Sequence, residues 1–108
     1  MSKITELTAE TFEKEVIESA QPVLVDFYGH HCSACVQMLP LLEEVAQEKK
    51  GRVKVVKLNA HDNLEIASRF RVNAIPNFVL ISNGAPLGQR VGRTPKAELS
   101  RWIDDTLR

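Results

Sequence analysis

The chain alternates between segments that are apolar at every third or fourth residue and shorter segments that are apolar throughout. Phe12 and Val16 share one face of a first helix, which Thr8 is placed to cap. Residues 23–28 are apolar at every position except Asp26. This continuous apolar run is typical of a strand that is covered by helices on both sides.

The same patterns continue through the middle of the chain. Residues 34–50 are apolar at helical spacing and predict a second helix, and residues 53–59 predict a second buried strand. A short third helix follows. Its apolar residues are Leu64, Ala67 and Phe70.

Tight-turn and edge signals mark the remaining strands. Residues 77–82 and 87–91 flank Asn83-Gly84, a dipeptide typical of β-hairpin turns. Residues 1–7 can add a short edge strand.

A last helix completes the pattern. Thr94 is expected to cap this helix, with Pro95 at its first position. Its buried stripe is Leu99, Trp102, Ile103 and Leu107. The predicted order of elements is βαβαβαββα. This order indicates an α/β domain with a central mixed five-stranded sheet and four helices distributed over both faces.

Composition narrows the class of protein. The 108 residues are 44% hydrophobic, enough for one domain over residues 1–108 to bury a core. The 14 Lys and Arg balance the 14 Asp and Glu, so net charge favours neither nucleic acid nor an anionic membrane as partner. The N-terminal residues lack the apolar segment of a secretory signal, and we expect a soluble, cytoplasmic protein.

Both cysteines lie in one short stretch, YGHHCSAC at residues 28–35. The stretch joins the apolar strand to the second helix, so Cys32 falls at the helix N-terminus and Cys35 lies one turn further on the same face. Unpaired backbone N–H groups at this end stabilise a thiolate at Cys32. We therefore expect Cys32 to attack a partner disulfide and the more buried Cys35 to resolve the mixed disulfide. A purely structural bridge over so short a loop would stabilise the fold little.

Two other functions stay open at this point. Cys32 and Cys35 with His30 or His31 could supply three ligands to zinc, with a further ligand from His61, a second chain or water. The chain could also be an adaptor of the same fold that binds a partner without turnover.

Asp26 is the one charged residue in its strand. Burial disfavours the carboxylate and should raise the pKa of Asp26. Lys57, in the middle of the next strand, is a plausible neighbour for it. The alternative is a solvated aspartate on an edge strand. From sequence alone the Ile75–Pro76 bond is expected to be trans, as most such bonds are.

These residues resemble the thioredoxin family over essentially the whole chain. The matching stretches are LVDF (24–27), CxxC (32–35), Pro40, KLN (57–59), IP (75–76), NG (83–84) and VG (91–92). The resemblance implies the four-helix, five-stranded fold and a protein disulfide reductase. It implies no cofactor or metal beyond a redox-active Cys32–Cys35 pair.

The resemblance also implies partners and further site residues. The partners would be disulfide-containing protein substrates and a thioredoxin-reductase-like or other dithiol electron donor, and we expect the chain to act as a monomer. Asp26 and Lys57 would pair beneath the cysteines, with Asp26 moving protons to and from Cys35. A substrate-binding groove would be formed by Ile75, Pro76 in a cis peptide bond, Val91 and Gly92.

The chain departs from the family around its cysteines. The family usually carries Trp-Cys-Gly-Pro-Cys-Lys, whereas this chain has His31, Ser33, Ala34 and Val36 at the four variable positions. A protonated His31 and the Ser33 hydroxyl would favour the Cys32 thiolate, and Ala34 relaxes the backbone that proline restrains. Val36 acts in the opposite direction, because it removes a lysine cation. We expect a more oxidising disulfide than in ordinary thioredoxins, and altered partners.

Overall fold

Five strands form a single mixed sheet in the computed structural model, which describes residues 4–108. Their bounds are β1 Thr5–Glu6, β2 Val23–Tyr28, β3 Lys54–Asn59, β4 Asn77–Ser82 and β5 Ala85–Val91. The spatial order is β1-β3-β2-β4-β5, so β2 is the central strand. Residues 1–3 of the predicted edge region lie outside the described residues.

Three α-helices connect these strands, and a fourth follows β5. Their bounds are α1 Ala9–Phe12, α2 Ser33–Glu48, α3 Leu64–Arg69 and α4 Lys96–Leu107. Helix α1 continues into a π-helical turn at Glu13–Ile17, which the sequence pattern did not predict. Thr8 is the N-cap residue of α1, as predicted, and its backbone N–H donates to Thr11 Oγ1 at 3.0 Å. Within residues 4–108, none of the helices has the length and apolar character needed to cross a bilayer.

The strand directions follow from the connections. Helix α2 carries the chain from β2 to β3, and these two strands are parallel, with Asp26 opposite Lys57. Strand β4 pairs with β2 antiparallel, and β5 returns antiparallel through the Asn83-Gly84 turn. The predicted mixed five-stranded sheet is confirmed.

Two hydrophobic clusters lie on the two faces of this sheet, because successive side chains of a strand point to opposite faces. Val25 and Phe27 of β2 pack with residues of α1 and α3. Leu24 of β2 packs with residues of α2 and α4, including Met38 and Ile103. The helices therefore cover both faces, as the continuous apolar strand predicted.

The predicted start of the last helix is wrong by one residue. Pro95 occupies the N-cap position and α4 begins at Lys96. Thr94 is buried one residue before the N-cap, its hydroxyl donates to the Gly92 carbonyl at 3.0 Å, and no side chain among the described residues caps the start of α4. Strand β5 also begins at Ala85, two residues earlier than predicted, because the turn occupies only two residues.

Candidate active site

Cys32 lies where the loop after β2 enters α2. It is the N-cap residue of α2 and is joined to Cys35 by a disulfide, with the two Cα atoms 5.3 Å apart. The Cys32 Sγ accepts a hydrogen bond from the Cys35 backbone N–H at 3.1 Å. The helix N-terminus thus directs a partial positive charge at this sulfur, which favours a thiolate in the reduced protein.

The two cysteines differ in exposure. Cys32 is partly exposed at the surface, whereas Cys35 is only 4% exposed and lies within α2 against the sheet. Cys32 is therefore the one of the two sulfurs that a large partner can reach from solvent. The sequence pattern predicted this difference in exposure from the positions of the two cysteines in the helix.

Asp26 lies in the middle of the central strand and is fully buried, so it is not a solvated edge residue. Neither of its carboxyl oxygens has a hydrogen-bond partner within residues 4–108. Desolvation raises the pKa of Asp26 to about 7, and the nearby Lys57 ammonium opposes part of that increase. Asp26 can therefore gain and lose a proton near neutral pH.

Lys57 lies opposite Asp26 in register, but its ion pair is with another residue. Lys57 Nζ is 3.9 Å from Glu6 Oε1 of β1. The resemblance implied a pair between Asp26 and Lys57, and it gave no role to Glu6. Glu6 is also the acceptor for the Tyr28 hydroxyl, at 2.7 and 2.6 Å to its two carboxylate oxygens.

A small cavity of about 150 Å³ lies between Cys35 and Lys57. Its lining residues are Tyr28, Gly29, Cys35, Val36, Leu39 and Lys57. The cavity is large enough for water, whose share of liquid volume is about 30 Å³. Cys35 of α2 and Lys57 of β3 thus face the same cavity.

The remaining predicted site residues lie at the N-terminal end of β4 and the C-terminal end of β5. The Ile75–Pro76 bond is cis, as the resemblance implied and contrary to the expectation from sequence alone. The Gly92 N–H donates to the Pro76 carbonyl at 2.8 Å and ties the two segments together. Gly92 has φ +91°, and a Cβ there would meet nothing within 4 Å, so this surface is open. Val91 beside it is 57% exposed.

His61 entered the sequence analysis only as a possible further zinc ligand, whereas the structure places it against the loop before Cys32. Its Nδ1 accepts a hydrogen bond from the His30 backbone N–H at 3.1 Å, within the loop that leads to Cys32. Its ring also occupies the space beside Gly29, where a Cβ would lie 2.6 Å from His61 Cε1 and 2.5 Å from Ile75 Cδ1. Gly29 thus allows the loop, His61 and Ile75 to pack together.

The three histidines do not converge on the cysteines. His30 Nε2 lies 3.1 Å from Asp62 Oδ1, and its ring packs beside that of His61. Within residues 4–108, no group of three His, Cys, Asp or Glu side chains is arranged to hold a metal ion. The zinc alternative therefore gains no support from the geometry.

The side chains of His31 and Ser33 make no hydrogen bond to Cys32 Sγ within the described part of the chain; the donor that reaches this sulfur is the Cys35 N–H. His31 is exposed and has φ +55°, a left-handed conformation that non-glycine residues seldom adopt. Ser33 and Ala34 occupy the first two positions of α2.

The packing around Gly29 makes a testable prediction. Gly29→Ala should destabilise the fold by about 1–3 kcal/mol, because the added methyl overlaps His61 and Ile75. Urea unfolding of the oxidised protein measures this change. In a His61→Ala background the same substitution should cost clearly less, since one of the two obstructing side chains is gone. Equal costs in both backgrounds would show that His61 does not restrict this position.

The buried Asp26 predicts a pH-dependent stability. In the unfolded chain this carboxyl titrates near its ordinary value of about 3.9. Between about pH 4 and pH 7 the unfolded chain therefore binds fewer protons than the folded one, and the free energy of unfolding falls by about 2–4 kcal/mol. Asp26→Asn removes this titration, so its stability relative to the wild type should increase by that amount from pH 4.5 to pH 8.

Urea unfolding at the two pH values measures the effect of Asp26→Asn, and Asp105→Asn at an exposed position of α4 is the matched control. The control should show no such increase. A stability difference between Asp26→Asn and the wild type that does not change with pH would contradict the assignment.

Comparison with known proteins identifies the family of the chain. The family model for thioredoxin matches residues 3–105. Thioredoxin 1 of Nostoc sp. is 36% identical over 107 residues, covering 99% of this chain and 100% of that protein. The thioredoxins of Haemophilus influenzae and Buchnera aphidicola subsp. Schizaphis graminum are 38% and 39% identical, over 96% and 100% of this chain and 97% and 100% of their own lengths. The chain therefore belongs to the thioredoxin family, and it is a thiol–disulfide oxidoreductase.

Proposed function

We propose that the chain acts as a single-domain protein disulfide reductase in which Cys32 is the nucleophile and Cys35 the resolving cysteine. The observation that carries this proposal is the unequal setting of the two sulfurs. Cys32 is accessible and receives the Cys35 N–H at the start of α2, whereas Cys35 is 4% exposed. A nucleophile needs both access and thiolate character, and only Cys32 combines them.

The reaction proceeds through two exchanges. The Cys32 thiolate attacks one sulfur of the substrate disulfide, forms a mixed disulfide and releases the other substrate sulfur as a thiolate, which takes up a proton. Cys35 then loses its proton and attacks Cys32 Sγ, which releases the second substrate thiol and forms the Cys32–Cys35 disulfide. The substrate gains two electrons and two protons, and the chain becomes oxidised.

Asp26 is proposed to accept the proton of Cys35 in the second exchange, with Lys57 as its charged neighbour. The support is its pKa of about 7, which matches a group that must take up and release protons at neutral pH. The cavity between Cys35 and Lys57 supports a water-mediated route.

Ile75, Pro76, Val91 and Gly92 are proposed to bind an extended segment of the substrate beside Cys32. Backbone pairing at Ile75 would give affinity that is independent of substrate sequence. The exposure of Val91 and the open surface at Gly92 support this role, because both leave room for a peptide.

The partners follow from the same chemistry. The substrates are disulfide-containing proteins, and a thioredoxin-reductase-like or other dithiol protein supplies electrons to the Cys32–Cys35 disulfide. We propose that the chain works as a monomer in a reducing cytoplasm, where such a donor can act on it. The reaction as written needs no cofactor, since the cysteine pair carries both electrons.

The mixed-disulfide step makes a testable prediction. Cys35→Ser, mixed with insulin, should accumulate an adduct on Cys32, because no resolving thiol is present. Cys32→Ser should form such an adduct at least about tenfold more slowly, because the remaining thiol, Cys35, is buried. Intact mass spectrometry under non-reducing conditions measures both. Adducts that form equally fast on the two variants would refute the assigned roles.

The residues around the cysteines predict a higher redox potential than that of ordinary thioredoxins. His31 and Ala34 replace tryptophan and proline of the usual family motif, whereas the Ser33 hydroxyl does not bond to Cys32 Sγ. From the first two changes we expect a potential above the thioredoxin value of about −270 mV, by roughly 30 mV or more. Equilibration with glutathione measures it. Ala34→Pro should lower the potential towards the usual value. A wild-type potential at or below about −270 mV would refute this expectation.

A further inference from the structure

Three charged side chains lie in one row across the sheet. Glu6 of β1 is opposite Lys57 of β3, and Lys57 is opposite Asp26 of β2. Residues opposite each other in paired strands point to the same face, so the row runs anion, cation, anion from the edge strand to the buried centre. Lys57 lies between two carboxyl groups and can pair closely with either.

The structure shows which of the two carboxyl groups pairs with the Lys57 ammonium. Lys57 Nζ lies 3.9 Å from Glu6 Oε1, whereas both Asp26 oxygens are buried without a hydrogen-bond partner within residues 4–108. Lys57 is 16% exposed at its side chain and Glu6 is 45% exposed. The ammonium therefore gains a partly solvated partner instead of entering the apolar site of Asp26, where both ions would lose water.

Tyr28 holds Glu6 in this position. Its hydroxyl donates towards both carboxylate oxygens of Glu6, at 2.7 and 2.6 Å. The Lys57 ammonium also lies 5.8 Å from the centre of the Tyr28 ring, within the range of a cation–π contact. Tyr28 thus contacts both members of the outer pair, and its ring lines the cavity beside Cys35.

We propose that Glu6 is a positioning residue for the proton-transfer step at Asp26: held by the Tyr28 hydroxyl, its carboxylate draws the Lys57 ammonium towards the sheet edge and leaves the Asp26 carboxyl without an ion pair. This inference rests on the proposed function, in which Asp26 accepts the proton of Cys35. Glu6 itself touches no reacting atom. It acts through Lys57.

The position of the Lys57 ammonium affects the pKa of Asp26. A close Lys57 ammonium would stabilise the Asp26 carboxylate and lower its pKa, which would make Asp26 a weaker base for the proton of Cys35. The Glu6 anion adds a direct repulsion that raises the pKa of Asp26. Both effects of Glu6 keep the carboxyl group protonated to a higher pH.

Among the described residues, the other neighbours of Asp26 in the sheet supply no free charge beside its carboxyl group. Phe78 of β4 lies opposite Asp26, and Arg90 of β5 lies opposite Phe78. Arg90 is paired with Glu98 of α4. On the helix side, the titratable group facing the cavity is Cys35 of α2, which is the proposed proton donor.

The experiment is a pH titration of the Asp26 carboxyl carbon by NMR in the oxidised protein. Glu6→Gln removes the charge but keeps an oxygen that can accept from Tyr28. We expect the Asp26 midpoint to fall from about 7 in the wild type by roughly half a pH unit or more in this variant. Glu18→Gln is the matched control. It removes one exposed carboxylate at the end of the first helix and should leave the midpoint unchanged.

A Lys57→Met background tests whether Glu6 acts through the lysine. If Lys57 carries the effect, Glu6→Gln should shift the Asp26 midpoint in this background by less than half of its shift in the wild type. Tyr28→Phe should also lower the midpoint, by less than Glu6→Gln does, since the carboxylate loses its anchor but keeps its charge. Equal Glu6→Gln shifts in both backgrounds, or shifts no larger than that of Glu18→Gln, would overturn the proposal.

The titration is independent of turnover. A wild-type chain that failed to reduce insulin would refute the proposed function and leave the measured Asp26 shifts as they are. With a functional chain, Glu6→Gln should move the acid side of the pH–rate profile for resolution of the mixed disulfide in the same direction as the Asp26 midpoint. An unmoved profile would overturn the role of Glu6 in proton transfer.

Discussion

The parallel pairing of β2 with β3 is the constraint on which the site depends. Parallel strands need a long crossover, and α2 provides it, so the chain must leave β2, turn in a short loop and begin a helix against the sheet. The turn places Cys32 at the N-terminus of α2, and the same register places Lys57 beside Asp26. The reacting sulfur and the buried acid therefore come from one pairing of two strands.

Burying Asp26 in this pairing opposes stability, and the fold retains it without a direct partner. An unpaired carboxyl group in an apolar interior loses its hydrogen bonds to water and stays neutral, at a cost to stability. The structure places the available cation on Glu6 instead, at the edge of the sheet. The Tyr28 hydroxyl bonds to this Glu6 carboxylate, and the Asp26 carboxyl has no ion pair within residues 4–108.

The loop before Cys32 is held by residues that lie far from it in the sequence. Gly29 leaves space that His61 and Ile75 fill, and His61 accepts the His30 N–H. Ile75 belongs to the proposed substrate groove, so the nucleophile loop and the groove share one packed contact. A side chain larger than that of Gly29 would overlap both His61 and Ile75.

Much of this could be predicted from local patterns. The apolar run around Asp26 indicated a central strand, and the spacing of Cys32 and Cys35 indicated one accessible and one buried sulfur. The prediction for Thr94 was wrong because α4 begins one residue later, with Pro95 at the N-cap, and the Thr94 hydroxyl bonds to the Gly92 carbonyl after β5. The roles of Glu6 and His61 were missed, since their partners lie 22 and 31 residues away in the chain.

The sequence by itself determined the order of elements, the sheet core and the identity of the reactive pair, because hydrophobic periodicity and helix termini act over a few residues. Only the tertiary structure decided which carboxyl group binds Lys57 and which ring supports the Cys32 loop. Those choices depend on distances between strands and loops that are remote in sequence, and on how much water each charge keeps when the sheet assembles.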